Sequence, residues 1–339
     1  MILVTLYRKP ESREADQVAA ELAALKEEYP HQVLTVDITR EPVLQETYDH
    51  AVPLVEIGPY RLKWPITSQE LVVALGAAKD RLTRLETQNE AQKANIRLPK
   101  MTGSDRFSLW FSKNYMLFMI LFLGLYTGLP FLAPTLMKLG AKGPAQVIYT
   151  IYSPLCHQFA FRSFFLFGEQ PYYPRELAGI KNVITYEDLA GNSTVDLWNA
   201  RRFVGNELVG YKVALCQRDV AIYGAMVAFA VIFAVTGRKI KVIPWLVWVI
   251  IGLGPIGLDG LSQLPGLTEM QLPFNLNIFR ESTPFLRTFT GVLFGLTTAW
   301  YIFPMIEDAM RETYRMMLRK QAVWSQIEPQ IKAQTNEIP

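Results

Sequence analysis

The sequence predicts a chain of two parts, an α/β module followed by an α-helical membrane domain with about four spans and one re-entrant or interfacial helix. β-branched runs alternate with helix-period runs over residues 1–82. Four uncharged runs beyond residue 114 are long enough, or nearly so, to cross a bilayer. Hydrophobic residues make up 50% of the chain and charged residues 19%, with a mean hydropathy of +0.13. This balance suits a soluble part joined to a membrane part.

The N-terminal module is predicted over residues 1–82, with the element order β-α-β-α-β-β-α. ILVTLY predicts the first strand, and PESREADQVAAELAALKEEY predicts a helix with acidic residues in its first turn. HQVLTVDI and VPLVEI predict the second and third strands. This order, with Val52-Pro53 where the fold places a cis proline before its third strand, resembles the glutaredoxin-like thioredoxin fold.

The redox motif of that fold is missing from this chain. The CxxC pair should follow the first strand, but Ser12 and Ala15 stand at the positions of the two thiols. Neither side chain forms a thiolate, so thiol–disulfide exchange is chemically excluded here. Two interpretations of the module stay open. It docks a cytoplasmic protein partner through residues 1–82, or it only caps the membrane domain.

Residues 83–114 are predicted to form a linker and an interfacial helix. A polar helix over residues 79–94 is followed by LPKMTGSD, whose proline and glycine break it. RFSLWFSKNY then predicts a helix at the bilayer surface, capped by Ser104 or Asp105.

The membrane domain is predicted over residues 115–306. Its four candidate spans are the uncharged runs 115–137, 220–237, 242–258 and 288–306. A fifth run, 143–161, is interrupted by polar residues and a proline, so it would span, re-enter or lie along the surface.

Basic residues predict the orientation. The loop TGRKIK between the second and third spans and the arginine-rich tail after the fourth should both be cytoplasmic. The start of the chain lacks a signal-peptide pattern, which predicts a cytoplasmic module as well. Four spans place both termini in the cytoplasm, so 143–161 is interpreted as re-entrant or interfacial. We therefore expect a multi-pass protein of the inner or plasma membrane, with a cytoplasmic helix over residues 307–339 packed on the module.

The same orientation collects most of the unusual polar residues at the extracytoplasmic face. The outward segments are residues 138–219 and 259–287, and the first contains a loop, 169–215, with strand-like stretches at 182–189 and 206–216. Ionisable residues at span ends are costly and favour a functional role, although snorkelling to the headgroups would explain any one of them. The net charge of +3 does not favour a nucleic-acid partner.

Four motifs in order, LCHQFAFRSFFLFG, LCQRDVAIYGA, GPIGLDGLSQL and ESTPFLRTFTGVLFG, resemble DUF2085, a family of predicted prokaryotic membrane proteins of unknown function. The resemblance favours a bacterial protein. The resemblance covers residues 152–295 and implies no activity. The residues that match its motifs are Cys156, His157, Gln158, Arg162, Ser163, Cys216, Arg218, Tyr223, Asp259, Gly260, Gln263, Ser282, Thr283, Arg287, Thr290 and Gly291. One departure is chemical, because Asp219 replaces the second cysteine of the family's CxRC.

One hypothesis for these residues is a metal site. Cys156, His157, Cys216 and Asp219 offer two sulfurs, an imidazole and a carboxylate, which suit zinc or another transition metal. Adjacent residues point in different directions on a helix, so Cys156 and His157 would need a turn to bind together. In a catalytic site, the candidate general bases are Asp259 and Glu281, and the candidates for holding an anionic group of a membrane-associated substrate are Arg162 and Arg287.

The alternative hypothesis is structural. Both cysteines are predicted to lie outside the cytoplasm, where a Cys156–Cys216 disulfide would persist. The protein would then be a non-enzymatic scaffold or complex subunit whose module docks a partner. The residues alone do not decide between the metal and the disulfide.

Overall fold

The structure is a computed structural model that describes residues 2–40, 42–88, 100–191, 195–265 and 280–336. The chain divides into two compact units, one formed by Met1–Lys113 with Met310–Pro339 and the other by Asn114–Ala309. The predicted linker falls partly on residues 89–99, which lie outside the described residues. So does the middle of the second outward segment, residues 266–279.

The first unit contains the thioredoxin-like module. Its strands are β1 (Ile2–Arg8), β2 (His31–Asp37), β3 (Leu54–Ile57) and β4 (Tyr60–Lys63), and its helices are α1 (Arg13–Ala24), α2 (Pro42–Tyr48) and α3 (Ser68–Gln88). The sheet order is β2-β1-β3-β4, with β1 parallel to β2 and the other pairs antiparallel. The Val52-Pro53 peptide bond is cis. The predicted fold class and element order are confirmed.

Helix α1 shows how the local sequence builds this unit. Ser12 caps it by accepting a hydrogen bond from the Ala15 backbone N–H, which satisfies one of the free donors at a helix start. Ala15, Val18 and Leu22 recur at intervals of three and four residues, and all three are buried. The residues at the two lost thiol positions therefore serve the fold, one as a cap and one in the core.

The C-terminal helix packs on the module within this unit, as predicted. Leu318 and Tyr314 lie in one apolar cluster with Tyr7, Ile38 and Leu54. Val323 packs on Leu34 in a second cluster. The Arg319 guanidinium lies 4.9 Å from the centre of the Tyr48 ring and 3.7 Å from Glu56.

The second unit is mainly helical. The helices that lie in it wholly or in part are α4 (Gly103–Lys138), α5 (Lys142–Tyr152), α6 (Tyr186–Ala190), α7 (Leu197–Arg202), α8 (Gln217–Val235), α9 (Trp245–Leu261) and α10 (Pro284–Asn336), and its strands are β5 (Ser163–Leu166), β6 (Gly205–Asn206) and β7 (Gly210–Cys216). The start of α4 and the end of α10 belong to the first unit. By length and composition, α4, α8 and α10 can cross a membrane, whereas α9 is a shorter apolar helix. Leu121, Phe122 and Leu125 of α4 are exposed by 58%, 67% and 66%, as a lipid-facing surface requires.

Two helices are longer than the sequence predicts. Helix α4 joins the predicted interfacial helix to the first span without a break. Its cap is Thr102 and not Ser104 or Asp105, because Thr102 and Asp105 form a reciprocal pair in which each side chain accepts the other's backbone N–H, at 2.8 and 3.2 Å. Helix α10 likewise joins the fourth predicted span to the C-terminal helix.

The run 143–161 does not form one helix. Its first part is α5, whose 11 residues extend only about 16 Å, well short of a bilayer's apolar core. A turn and irregular backbone follow Tyr152, then a short 3₁₀ turn over Ala160–Arg162 that leads into β5. The chain bends at the position where Cys156 and His157 lie.

The outward loop contains a small antiparallel sheet, ordered β5-β7-β6. The strand-like reading of 206–216 is confirmed in β7, but the reading of 182–189 is wrong, because α6 begins at Tyr186. Thr185 and Asp188 form a capping box that starts this helix despite the β-branched residues before it. A Cβ on Gly168 would lie 2.1 Å from the Val209 carbonyl oxygen, so the two backbones approach closely only with glycine there.

Glycines allow α10 to pack tightly on α8. A Cβ on Gly291 would lie 2.8 Å from the Arg218 carbonyl oxygen, and one on Gly295 would lie 2.2 Å from that of Ile222. This is the close backbone approach that a GxxxG pair permits. Helix α9 contains a π-helical turn over Trp248–Leu253, which includes Gly252. The contact between α8 and α10 sets the first turns of the two helices side by side, and the candidate site is built there.

Candidate functional site: a thiol–carboxylate cluster beside a buried arginine network

Three of the four predicted metal ligands lie together. The ligand atoms of Cys156, Cys216 and Asp219 all lie within 4.8 Å of one another. Cys216 ends β7 and caps α8, so its sulfur accepts the Asp219 backbone N–H at 3.5 Å. Its thiol also donates to Asp219 Oδ2 at 3.1 Å. Cys156 lies in the turn after α5, and its sulfur accepts the backbone N–H groups of Gln158 and Cys216 at 3.5 and 3.3 Å.

The electrostatics of this cluster disfavour negative charge on the Cys156 sulfur. Hydrogen bonding to Cys216, followed by burial, raises the pKa of Cys156 well above its usual range. The Asp219 carboxylate acts in the same direction. Three potentially anionic groups at this separation repel one another unless a proton or a cation lies among them.

His157 is not part of the cluster. Its side chain is exposed, and its ring stacks on Phe159 with the centroids 5.4 Å apart. The turn after α5 directs Cys156 inward and the next residue outward. Both cysteines are free thiols in the structure. Their proximity is the feature that the metal and disulfide hypotheses share.

The four predicted catalytic residues lie in a separate buried network next to the cluster. One half of this network is centred on Glu281. Arg162 donates to Glu281 in bidentate fashion, from Nε at 2.9 Å and from Nη2 at 3.1 Å. Arg287, at the start of α10, donates from Nη2 to the same carboxylate and to Gln263 Oε1, the latter at 2.6 Å. The Glu281 and Arg287 side chains are only 1% and 3% exposed.

Asp259 organises the other half. Its carboxylate accepts hydrogen bonds from Arg218, from Arg280 at 3.1 Å, from Ser282 at 3.0 Å and from Gln263 at 3.1 Å. Gln263 thus connects the two halves, since its amide donates to Asp259 while its carbonyl accepts from Arg287. Both carboxylates are occupied by guanidinium donors, an arrangement that positions the arginines.

Counted over the described residues, the network carries more positive than negative charge. Four guanidinium groups, from Arg162, Arg218, Arg280 and Arg287, face the carboxylates of Asp259 and Glu281. Burial lowers the pKa of Arg162 to about 10. The Arg218 Nε atom is buried and has no hydrogen-bond partner in the part of the chain that the structure describes. A buried excess of cationic donors is costly by itself and favours an added anion.

The cluster and the network meet at the first turn of α8. Arg218 belongs to the network, while Cys216 and Asp219 on either side of it belong to the cluster. A group bound by the cluster would therefore lie beside the arginines.

Two buried or partly buried cations were missed by sequence reasoning, one in the network and one outside it. Arg280 belongs to no helical pattern, and no signal in the sequence marks it as a partner of Asp259. Lys212 interrupts the apolar strand GYKVALC and is fully buried, and a charge in such a strand was the signal that could have identified it.

Comparison with known proteins agrees with both parts of the chain. Residues 206–301 match the family described as "Predicted membrane protein (DUF2085)", and residues 3–76 match a "Glutaredoxin-like domain (DUF836)". The first match contains Cys216, Asp259 and Arg287, but Cys156 and Arg162 lie before it. The protein is a membrane protein with a glutaredoxin-like domain.

An uncharacterized protein of Methanocaldococcus jannaschii is 27% identical over 209 residues, which make up 60% of this chain and 99% of that protein. No solved structure matches this chain.

Proposed function

We propose that this membrane protein binds a transition metal through Cys156, Cys216 and Asp219, and that the adjoining arginine network holds an anionic group of a membrane-associated substrate. The observation that supports this most directly is the convergence of the three ligand atoms within 4.8 Å of one another. They come from a turn, a strand end and a helix start that are up to 63 residues apart in sequence.

The donor set fits zinc or another borderline transition metal. Two thiolates and one carboxylate are ligands of the kind that zinc takes, and a cation relieves the repulsion among them. Three protein ligands leave one coordination position for water or substrate, which is the arrangement of catalytic rather than structural sites. A metal held here would supply an activated water or polarise a substrate oxygen.

The arginine network supplies the complementary part. Guanidinium groups bind phosphate and carboxylate through paired donors, and the excess of arginines over carboxylates leaves donors for an incoming anion. In this proposal Arg162 and Arg287 hold the anionic group. Glu281 and Asp259 fix the positions of these arginines, and either carboxylate becomes a general base only when a substrate displaces its guanidinium partner.

The proposal includes an orientation. The basic loop that contains Arg238, Lys239 and Lys241 would face the cytoplasm, so the network would open to the extracytoplasmic side. The module over residues 1–82 and the C-terminal helix would lie in the cytoplasm of a cell with this protein in its inner or plasma membrane. The module, without redox chemistry, would dock a protein partner there.

Elemental analysis of the purified, detergent-solubilised protein tests the metal. We expect close to one equivalent of zinc, iron or copper in the wild type, and loss of most of it in Cys156→Ser, Cys216→Ser and Asp219→Asn. His157→Gln is the matched control, because His157 is exposed and outside the cluster. Wild-type protein purified without metal, and unable to take up zinc afterwards, contradicts the proposal.

The proximity of the two thiols also favours a second candidate, a scaffold with a Cys156–Cys216 disulfide. Counting free thiols in the unfolded protein under non-reducing conditions separates the two. Two reactive thiols per chain are expected for the metal site, and none for the disulfide. A protein with a disulfide would be a structural subunit whose module binds its partner.

A further inference from the structure

A second polar site in the membrane unit shares no lining residue with the cluster or the network. It is a pocket of about 490 Å³, lined by residues of α5, α7 and β7. Lys212, Arg201 and Arg202 supply three cations to its wall, and no carboxylate is among its lining residues. Its volume is that of a small-molecule site rather than a site for a single ion.

Two of the cations are held in place by backbone groups. Lys212 Nζ donates to the carbonyl oxygens of Gln158 and Arg201, at 2.8 and 2.5 Å. Arg201 Nη2 donates to the carbonyl and the hydroxyl of Ser153, at 2.7 and 2.6 Å. These contacts leave N–H groups of both side chains for another acceptor, because an ammonium has three donors and a guanidinium has five.

The third cation and an indole form the outer wall. The Arg202 guanidinium lies 4.6 Å from the centre of the Trp198 ring, and the Trp198 side chain is 56% exposed. Within the described part of the chain, none of the three cations has an ion pair with a carboxylate. Carbonyl groups satisfy hydrogen bonds but do not neutralise charge, so the pocket keeps a positive potential.

We propose that this pocket binds an organic phosphate, with the phosphate on Lys212, Arg201 and Arg202 and the remainder of the ligand against Trp198. Phosphate matches the paired donors of arginine better than chloride does, and the indole accounts for the space that a bare ion would leave empty. The phosphate has two possible sources, a small soluble phosphate ester or the headgroup of a phospholipid. The site does not depend on the metal proposed above.

Burial lowers the pKa of Lys212 to about 7, so an anion in the pocket would favour its protonated form.

Calorimetric titration of the full-length protein in detergent with glycerol 3-phosphate and inorganic phosphate tests the soluble source. Native mass spectrometry of lipids retained from the expression membrane tests the other. Arg202→Gln is the main variant, because Arg202 is exposed and its loss leaves the backbone contacts intact. Arg201→Gln is a second variant, and Lys181→Gln is the matched control, since it removes an exposed cation from the same loop but not from the pocket.

The proposal predicts that Arg202→Gln weakens phosphate-ester binding about tenfold or more, as expected for the loss of one charge-assisted contact. If a phospholipid is the ligand, retained anionic lipid falls by a similar factor in both arginine variants. In either case Lys181→Gln binds as the wild type does. No binding of either source, or equal losses in Lys181→Gln, overturns the proposal.

Discussion

Buried acidic residues lie at both ends of the membrane unit, but their hydrogen-bond and ion-pair partners differ. Asp259 and Glu281 at one end face four arginines, Arg162, Arg218, Arg280 and Arg287. At the other end, Glu307 accepts from the Tyr115 hydroxyl at 2.6 Å and from Arg238 at 3.4 Å. Arg287 and Glu307 lie on one helix about 20 residues apart, which is about 30 Å and close to the thickness of a bilayer's apolar core.

The difference indicates that pairing a buried carboxylate with a cation does not by itself require a network as large as the one at Asp259 and Glu281. The pairing at Glu307 joins α4, α10 and the loop after α8 through the Tyr115 hydroxyl and Arg238. Among the described residues, the Asp259 end places four guanidinium groups against two carboxylates, next to the thiol–carboxylate cluster. A charge excess of this kind stabilises a bound anion better than it stabilises the fold. This contrast can be tested at each end.

Removing one carboxylate from each end should have the largest effect on stability, and the two losses should differ in size. Asp259→Asn leaves buried guanidinium groups without their counter-charge and should destabilise the protein by about 3–5 kcal/mol. Glu307→Gln should cost less, about 1–2 kcal/mol, because Arg238 is one-third exposed and gains water instead. Thermal unfolding in detergent, followed by circular dichroism, measures both. Equal losses at the two ends would remove the distinction.

The helix contact between the ends gives a second comparison. Gly295→Ala places a Cβ 2.2 Å from the Ile222 carbonyl oxygen, so α8 and α10 must separate, at a cost of about 1–3 kcal/mol. Gly224→Ala is the control, since no atom lies within 4 Å of its added Cβ and little change is expected. Thermal midpoints of the two variants check the ranking. A neutral Gly295→Ala would show that the contact between the helices is looser than this structure has it.

The pH dependence of stability extends the comparison to Lys212. The hydrogen-bond acceptors of this buried cation are carbonyl groups and not carboxylates. Burial lowers its pKa from 10.5 to about 7, so the unfolded chain binds more protons than the folded chain between these values. Stability should therefore fall as the pH drops from about 10 towards 7, by at most about 1.4 kcal/mol per pH unit, and level off below. Thermal midpoints of wild type and Lys212→Met at pH 7 and 9 measure this. The variant should respond less to pH, and an identical response in both would assign the pH dependence to other groups.

The smallest effect on stability is expected in the N-terminal module, where Ser12 at a former thiol position serves as a helix cap. Ser12→Ala removes the cap of α1 and should cost about 1 kcal/mol. Ser12→Asp keeps an acceptor at the helix start and should restore most of the loss. Hydrogen exchange of the α1 backbone amides in the full-length protein measures the change in stability in both variants. An unchanged α1 in Ser12→Ala would show that its packing, and not its cap, defines where the helix begins.

The sequence by itself determined which residues are unusual and the kind of structure around them. Alternating strand and helix periods predicted the module, because side-chain periodicity is a local property. The uncharged runs predicted the spans for the same reason. The replacement of both redox thiols by Ser12 and Ala15 was also visible, since the chemistry of a side chain needs no structure to exclude it. The helix after Thr185 was mispredicted because a capping box outweighed strand propensity.

Only the tertiary structure decided which of those residues meet. Cys156 and Cys216 are 60 residues apart, and their proximity depends on the turn after α5 and on the pairing of β5 with β7. The exclusion of His157 from the cluster follows from that turn, and the inclusion of Arg280 in the network follows from its contact with Asp259. Contacts between distant segments follow from how whole helices pack, and no single segment contains that information.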